Sequence, residues 1–175
     1  MIEGEELRMT KSIKMALSLG VAALVVILDQ LSKSWIRANP YPMELLPGFL
    51  GFVYAEHRGA AFGLLVNQTF LITTTIAILT IIIFLLLRYL SLSTTLTIIS
   101  AGLIFGGAIG NLIDRLRFSG YVTDFIDIHL WDFFHWYTFN LADAAITVGI
   151  FALIYSLYRS GLFRKVYEHD HKTKD

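Results

Sequence analysis

The stretch TLTIISAGLIFGGAIGNLID, residues 95–114, has no charged side chain before its last residue, Asp114. A helix of about 20 such residues is long enough to cross about 30 Å of hydrocarbon. Because a backbone surrounded by lipid must satisfy its own hydrogen bonds, this stretch is predicted to be a membrane-spanning helix. Gly102, Gly106 and Gly110 recur every four residues along it, which allows a neighbouring helix to approach closely.

The rest of the chain has the same apolar character. Of its 175 residues, 55% are hydrophobic and 16% are charged, and the mean hydropathy is +0.63. A soluble domain has about 45–50% apolar and about 25% charged residues. We therefore predict an all-α integral membrane protein, a single membrane-embedded domain over residues 1–175. Four transmembrane helices are expected at about residues 15–36, 66–87, 95–114 and 139–158.

The predicted loop between the first two spans has a different composition. All three prolines of the chain, Pro40, Pro42 and Pro47, fall in it, and they discourage regular helix. The following run from Phe49 to Ala55 is rich in aromatic and β-branched residues, which predicts a short strand. The fold should thus include a small β-containing loop region outside the membrane.

The distribution of Lys and Arg predicts the orientation of the spans. If the amino terminus is cytoplasmic, nine of these residues lie inside and five outside, so both termini should be cytoplasmic. A cleavable signal peptide is the alternative interpretation of the first span, because Lys11 and Lys14 precede its apolar run. No convincing small-residue cleavage site follows, which weighs against it.

Charge and cysteine content exclude several classes of function. Fourteen Lys and Arg balance fourteen Asp and Glu, unlike the strong positive charge of a nucleic-acid-binding protein. The sequence has no cysteine, which excludes disulfides, thiolate metal sites and a cysteine nucleophile in this chain. Five histidines, at positions 57, 129, 135, 169 and 171, form no zinc-binding motif, so no metal is expected.

Three acids lie within or at the end of the predicted spans, where ionisable groups are costly and indicate function. From the helical rise, Asp29, Asp143 and Asp114 stand about 22, 24 and 28 Å above the inner boundary. Three different helices therefore bring an acid to one level near the outer surface. Asn111 precedes Asp114 by three residues and Asn140 precedes Asp143 by three, so each amide shares a helical face with its acid.

A pair of carboxylates at this level could hydrolyse a peptide bond. One would activate water and the other would protonate the leaving amine, because two close acids do not both ionise. Asp124 and Asp143 are the candidate pair, with Asp143 on a helix and Asp124 brought to it by a loop. Asp143 has no Lys or Arg within fifteen positions, so a local ion pair does not explain it, whereas for Asp124 a structural and a catalytic role are both open.

The other acids have structural interpretations. Asp29 can pair with Lys33 one helical turn away, and Asp114 with Arg117 three positions on. Asp127 is expected to be a solvated loop acid.

At these residues the sequence resembles the lipoprotein signal peptidases, the bacterial signal peptidase II family of membrane aspartic proteases. Five stretches in the family's order carry the resemblance: LDQLSK (28–33), RGAAFG (58–63), GNLIDR (110–115), VTDFID (122–127) and FNLADAA (139–145). Any one of them alone would be weak, but five in order among four spans are highly specific.

The resemblance implies an aspartic endopeptidase that removes the signal peptide of prolipoproteins by cutting before a diacylglyceryl-modified cysteine. It implies that Asp124 and Asp143 are catalytic, while Asp29 and Asp114 are important but lie outside the dyad. The residues implied to bind substrate or shape the site are Asp29, Lys33, His57, Arg58, Gly59, Asn111, Asp114, Arg115, Asn140 and Ala142.

The resemblance also implies the surroundings of the enzyme. It would lie in the bacterial cytoplasmic membrane with its active site near the outer face and a periplasmic loop region. It would need no metal or organic cofactor, contact membrane phospholipid and be inhibited by globomycin; a monomer is expected.

One position departs from the family's pattern. His57 stands where the family usually has asparagine. A histidine changes charge near neutral pH, so His57→Asn is expected to retain activity and to flatten any pH dependence at about pH 6 to 7.

Three other functions fit parts of the sequence. A proton-coupled transporter would also carry acids inside the membrane, but nearer the midplane. A membrane scaffold would use the glycine repeat for assembly. A serine protease would use Ser32 with Lys33, although adjacent helical residues do not face each other.

Overall fold

The computed structural model describes residues 10–57, 68–89, 94–130, 134–135 and 138–160. This part of the chain is mostly helical, with α1 (Lys11–Ala38), α2 (Gln68–Tyr89), α3 (Thr95–Arg117) and α4 (Leu141–Ser160). Within these described residues, three helices are long and apolar enough to cross a membrane: Lys11–Ala38, Thr95–Arg117 and Leu141–Arg159. In α2 the apolar helix Thr69–Phe84 is shorter, so the fourth span stays a prediction.

Local hydrogen bonds decide where the helices begin. α1 begins at Lys11, before the predicted start at residue 15, because the Thr10 hydroxyl accepts from the Ile13 amide. The hydroxyl of Thr94 accepts from the Thr97 amide in the same way at the start of α3. α4 begins at Leu141 rather than at residue 139, because the backbone of Phe139 bonds to a strand instead.

α3 lies at the centre of the fold and packs against α1, α2 and α4. Its glycines permit this packing. A Cβ atom on Gly106 would lie 2.7 Å from the Ala22 carbonyl oxygen in α1, and one on Gly107 would lie 2.4 Å from the Ala142 carbonyl oxygen in α4. Any side chain at these positions would therefore push the helices apart. The other helices carry large exposed apolar side chains, such as Leu31, Phe84 and Phe151, which suit a lipid environment.

An antiparallel sheet lies beyond the end of α1. Its strands are β1 (Met43–Leu46), β2 (Leu50–His57), β3 (Val122–Leu130) and the two-residue β4 (Phe134–His135), in the order β1-β2-β3-β4. β1 and β2 form a hairpin that turns at Gly48, whose φ of +70° favours glycine. The strand predicted at Phe49–Ala55 corresponds to β2.

The structure corrects the prediction for the segment that carries Asp124. We expected a loop there, but Asp124 lies within β3, opposite Ala55 of β2. Phe139 adds to the other side of β3, because its carbonyl accepts from the Phe125 and Ile126 amides. The sheet thus holds Asp124 in a fixed register, next to the residues that lead into α4.

Candidate active site

A fully buried lysine joins α1 to α3. The Lys33 ammonium lies 2.9 Å from the Asp29 carboxylate and 3.4 Å from that of Asp114, and it donates to Asn111 Oδ1 at 2.9 Å. All three charged side chains have no exposed surface. Because a buried charge is tolerated only when it is paired, Lys33 allows two acids to exist at this depth.

The predicted partner of Asp29 is confirmed, and that of Asp114 is wrong. Asp114 pairs with Lys33 and, at 3.6 Å, with Arg37 rather than with Arg117 of its own helix. The Arg117 guanidinium lies 5.7 Å from the Phe118 ring. Cations from the neighbouring helix α1 therefore replace the local pair that the spacing suggested.

Asp114 also fixes the start of β3. Its Oδ2 accepts from the Thr123 backbone amide at 3.0 Å, and Arg37 donates to the Thr123 hydroxyl at 2.9 Å. Because Thr123 directly precedes Asp124, these contacts with α1 and α3 also fix the position of Asp124. The side-chain amide of Gln30 further connects α1 to α3, because it donates to the carboxylates of Asp29 and Asp114.

The sequence prediction missed Gln30, Arg37 and Thr123. Arg37 follows Lys33 by four residues and so shares its helical face, a spacing that could have revealed it. Thr123 could not be found in this way, because its contacts depend on where β3 docks.

Asn140 connects the two acids of the candidate pair. Its side-chain nitrogen donates to Asp124 Oδ1 at 2.7 Å and to Asn111 Oδ1 at 3.2 Å. Its side-chain oxygen accepts from the Asp143 amide at 2.9 Å, while its own backbone amide donates to Asp143 Oδ2 at 3.3 Å. Asn140 and Asp143 thus form a reciprocal capping box at the start of α4.

Asp143 is held as a hydrogen-bond acceptor. Besides the Asn140 amide, the side-chain nitrogen of Asn111 donates to its Oδ1 at 2.7 Å. It lies in the first turn of α4, where the helix dipole favours negative charge. Asp29 binds beside it, because its Oδ1 accepts from the Ala142 backbone amide at 3.0 Å.

These hydrogen bonds and ion pairs connect the acids of α1, α3, β3 and α4 to one another. We call the linked group the acid–amide cluster; it consists of Asp29, Lys33, Asn111, Asp114, Asp124, Asn140 and Asp143. Arg115 borders it, with its guanidinium 3.4 Å from the Asn111 carbonyl oxygen.

The two candidate acids have different electrostatic surroundings. Burial, together with the negative charge of Asp143, raises the pKa of Asp124 to about 7. The Asn140 hydrogen bond and the positive charges of Lys33 and Arg115 oppose this rise. Asp124 therefore keeps its proton up to about neutral pH, so that the cluster can hold a proton donor beside an accepting carboxylate.

His57 contacts the cluster from β2. Its Nδ1 lies 3.5 Å from Asp124 Oδ2, and its side chain is 37% exposed. The other two predicted residues of this segment, Arg58 and Gly59, lie outside the described residues.

Two further expectations are settled here. Asp127 is not a solvated loop acid: it is buried in β3, and its Oδ2 lies 2.9 Å from His129 Nε2. Ser32 does not face Lys33, because its hydroxyl donates to the Asp29 carbonyl while the lysine binds the carboxylates.

Apolar helices around buried, paired ionisable groups define a membrane protein with a polar site inside its spans. A sequence profile of the family described as Signal peptidase (SPase) II matches residues 21–159. The chain is 46% identical over 140 residues to the lipoprotein signal peptidase of Moorella thermoacetica, covering 78% of this chain and 89% of the relative. It is 43% identical over 140 residues to that of Coxiella burnetii strain RSA 493, covering 76% and 84%.

A solved structure described as a bacterial membrane enzyme superposes with a TM-score of 0.73 at 31% identity, covering 84% of this chain and 90% of the other. The chain belongs to the signal peptidase II family. It is therefore a membrane protease of lipoprotein maturation.

Proposed function

We propose that this chain is an aspartic endopeptidase of the bacterial cytoplasmic membrane. It removes the signal peptide of prolipoproteins by cutting before the diacylglyceryl-modified cysteine, and Asp124 and Asp143 are its catalytic residues. The relatives named lipoprotein signal peptidase support the substrate class. The assignment of the two acids rests on the site itself.

The single observation that carries this proposal is the position of Asn140. One side chain donates to Asp124 and caps the helix α4, whose first turn carries Asp143. The side-chain amide of Asn140 therefore contacts both Asp124 of the strand β3 and the backbone of Asp143 in the helix α4. Their charges interact, since Asp143 contributes to the raised pKa of Asp124.

The geometry supports different roles for the two acids. Asp143, which accepts two N–H bonds, acts as the carboxylate that takes a proton from water. The water oxygen then bonds to the scissile carbonyl carbon, and protonated Asp124 gives its proton to the leaving nitrogen as the C–N bond breaks. The proton on Asp143 moves to Asp124 to restore the starting state.

The substrate class fits a site at one end of the helices. An apolar signal helix and two acyl chains must reach the pair from the lipid, while water must reach it from the outer surface. The acid–amide cluster lies where α1 and α3 meet the sheet, which suits both requirements. We place the active site near the outer face with both termini cytoplasmic, and expect a monomer in contact with phospholipid and inhibited by globomycin.

Replacement of each acid by its amide tests the mechanism. Asp124→Asn and Asp143→Asn should each lower cleavage of a lipid-modified precursor in detergent by a factor of about 10² to 10⁴, because an amide neither takes nor gives the proton. The precursor should still bind, which crosslinking to the purified variants would measure.

Asp127→Asn is the matched control, since Asp127 is a buried acid of the same strand outside the cluster. It should cleave within a few-fold of the unmodified enzyme. Cleavage by either of the other two variants at the control's rate would overturn the assignment, as would equal losses in all three.

A further inference from the structure

A partly exposed histidine contacts the buried acid of the candidate pair. His57 is the last residue of β2, and it lies diagonally across from Asp124 on the same face of the sheet. Its Nδ1 is 3.5 Å from Asp124 Oδ2; the Asp124 side chain is 6% exposed and the imidazole 37%. The imidazole is therefore open to water while it contacts a carboxyl group that is almost fully buried.

The charges around Asp124 come from every element packed on it. Asp143 of α4 is negative, whereas Lys33 of α1 and Arg115 of α3 are positive. The neighbouring Glu56 has its carboxylate 2.9 Å from the Tyr54 hydroxyl, on the opposite face of the strand.

We propose that His57 is a positioning residue whose charge controls how readily the aspartate pair keeps its single proton. A charged imidazolium attracts the Asp124 carboxylate and so favours loss of the proton from the pair; a neutral imidazole does not. The proposal rests on the proposed function, because it assumes that the pair is active with one proton. Nothing in the capping of α4 or in the Lys33 ion pairs depends on His57.

The test compares a neutral and a permanently charged side chain at position 57. In His57→Asn the pH profile of kcat/KM should be displaced, rather than flattened as the sequence alone suggested. Both of its limbs should move to higher pH, because no positive charge favours ionisation of the pair. In His57→Lys the alkaline limb should move to lower pH. A shift of about half a pH unit in each direction is expected for a partly exposed ion pair, and added salt should reduce the shift of the Lys variant.

His129→Asn is the control, since His129 also contacts an aspartate of β3 but outside the acid–amide cluster. Its profile should coincide with that of the unmodified enzyme. If His57 has a merely structural role, its substitution would lower kcat/KM equally at every pH. The proposal would be overturned if the pH profiles of the two position-57 variants coincided, or if both were displaced by the same amount in the same direction. Activity retained in Asp124→Asn would instead contradict the proposed function, so the two failures are distinguishable.

Discussion

Asp124 and Asp143 are the same chemical group in two environments. Asp143 takes part in a capping box and accepts two N–H bonds, whereas Asp124 is buried in a strand beside that negative charge. The difference in environment separates a proton acceptor from a proton donor. The assignment of roles therefore comes from hydrogen bonds and burial, and neither could be predicted from the residue types.

The raised pKa of Asp124 predicts a pH dependence of stability. An unfolded aspartate ionises near pH 4, while folded Asp124 keeps its proton to about pH 7. Between these values the folded state binds more protons than the unfolded state, so this group's contribution to stability falls as pH rises. The side chain in Asp124→Asn does not ionise, so the stability of this variant should not show that decrease.

Thermal unfolding in detergent between pH 5 and pH 8 measures this effect. The melting temperature of Asp124→Asn relative to the unmodified protein should rise over this range, by roughly 5 °C. A difference that stays constant with pH would mean that the carboxyl group has an ordinary pKa in the folded protein.

At the scale of elements, α3 holds the site together through positions without side chains. Gly107 contacts the backbone of α4 at Ala142, next to Asp143. Gly107→Ala should separate α3 from α4, lower the free energy of unfolding by about 1–3 kcal/mol and reduce cleavage. Gly20→Ala is the matched control, because a Cβ on Gly20 meets nothing within 4 Å; unfolding and activity assays of both variants, with equal results, would refute the packing argument.

The helices could be predicted from the sequence more completely than the sheet. Long uncharged runs identify the apolar helices, since lipid leaves few alternatives. β3 escaped prediction because both of its faces are largely buried: Val122 and Asp124 point to one face and Thr123 and Phe125 to the other, so apolar and polar residues do not alternate. The contact between Asn140 and Asp124 depends on the register of that strand, and spacing along the chain contains no such information.

For the whole molecule, the β1–β2 hairpin presents exposed apolar side chains outside the helices. Leu45, Leu46 and Phe49 are all about half exposed there, which suits contact with lipid or with a lipid-modified substrate. A double replacement of Leu45 and Leu46 by Glu should raise KM for the precursor in liposomes by about tenfold, given the loss of apolar burial.

The same double variant in detergent with a short soluble substrate serves as its own control, where kcat/KM should be unchanged. An unaltered KM in liposomes would show that the hairpin takes no part in substrate binding at the membrane.

The buried lysine has a consequence for how the protein is made. Among the described residues, the two cations that form ion pairs with Asp114 lie on α1, which is synthesised about eighty residues earlier. A carboxylate without a cationic partner costs about 3 kcal/mol at the centre of a membrane-spanning helix and less towards the end of the helix, where Asp114 lies. The translocation machinery should therefore insert α3 more efficiently when α1 is already next to it. A substitution of Lys33 should accordingly lower the membrane insertion of α3, a defect that precedes any binding of substrate.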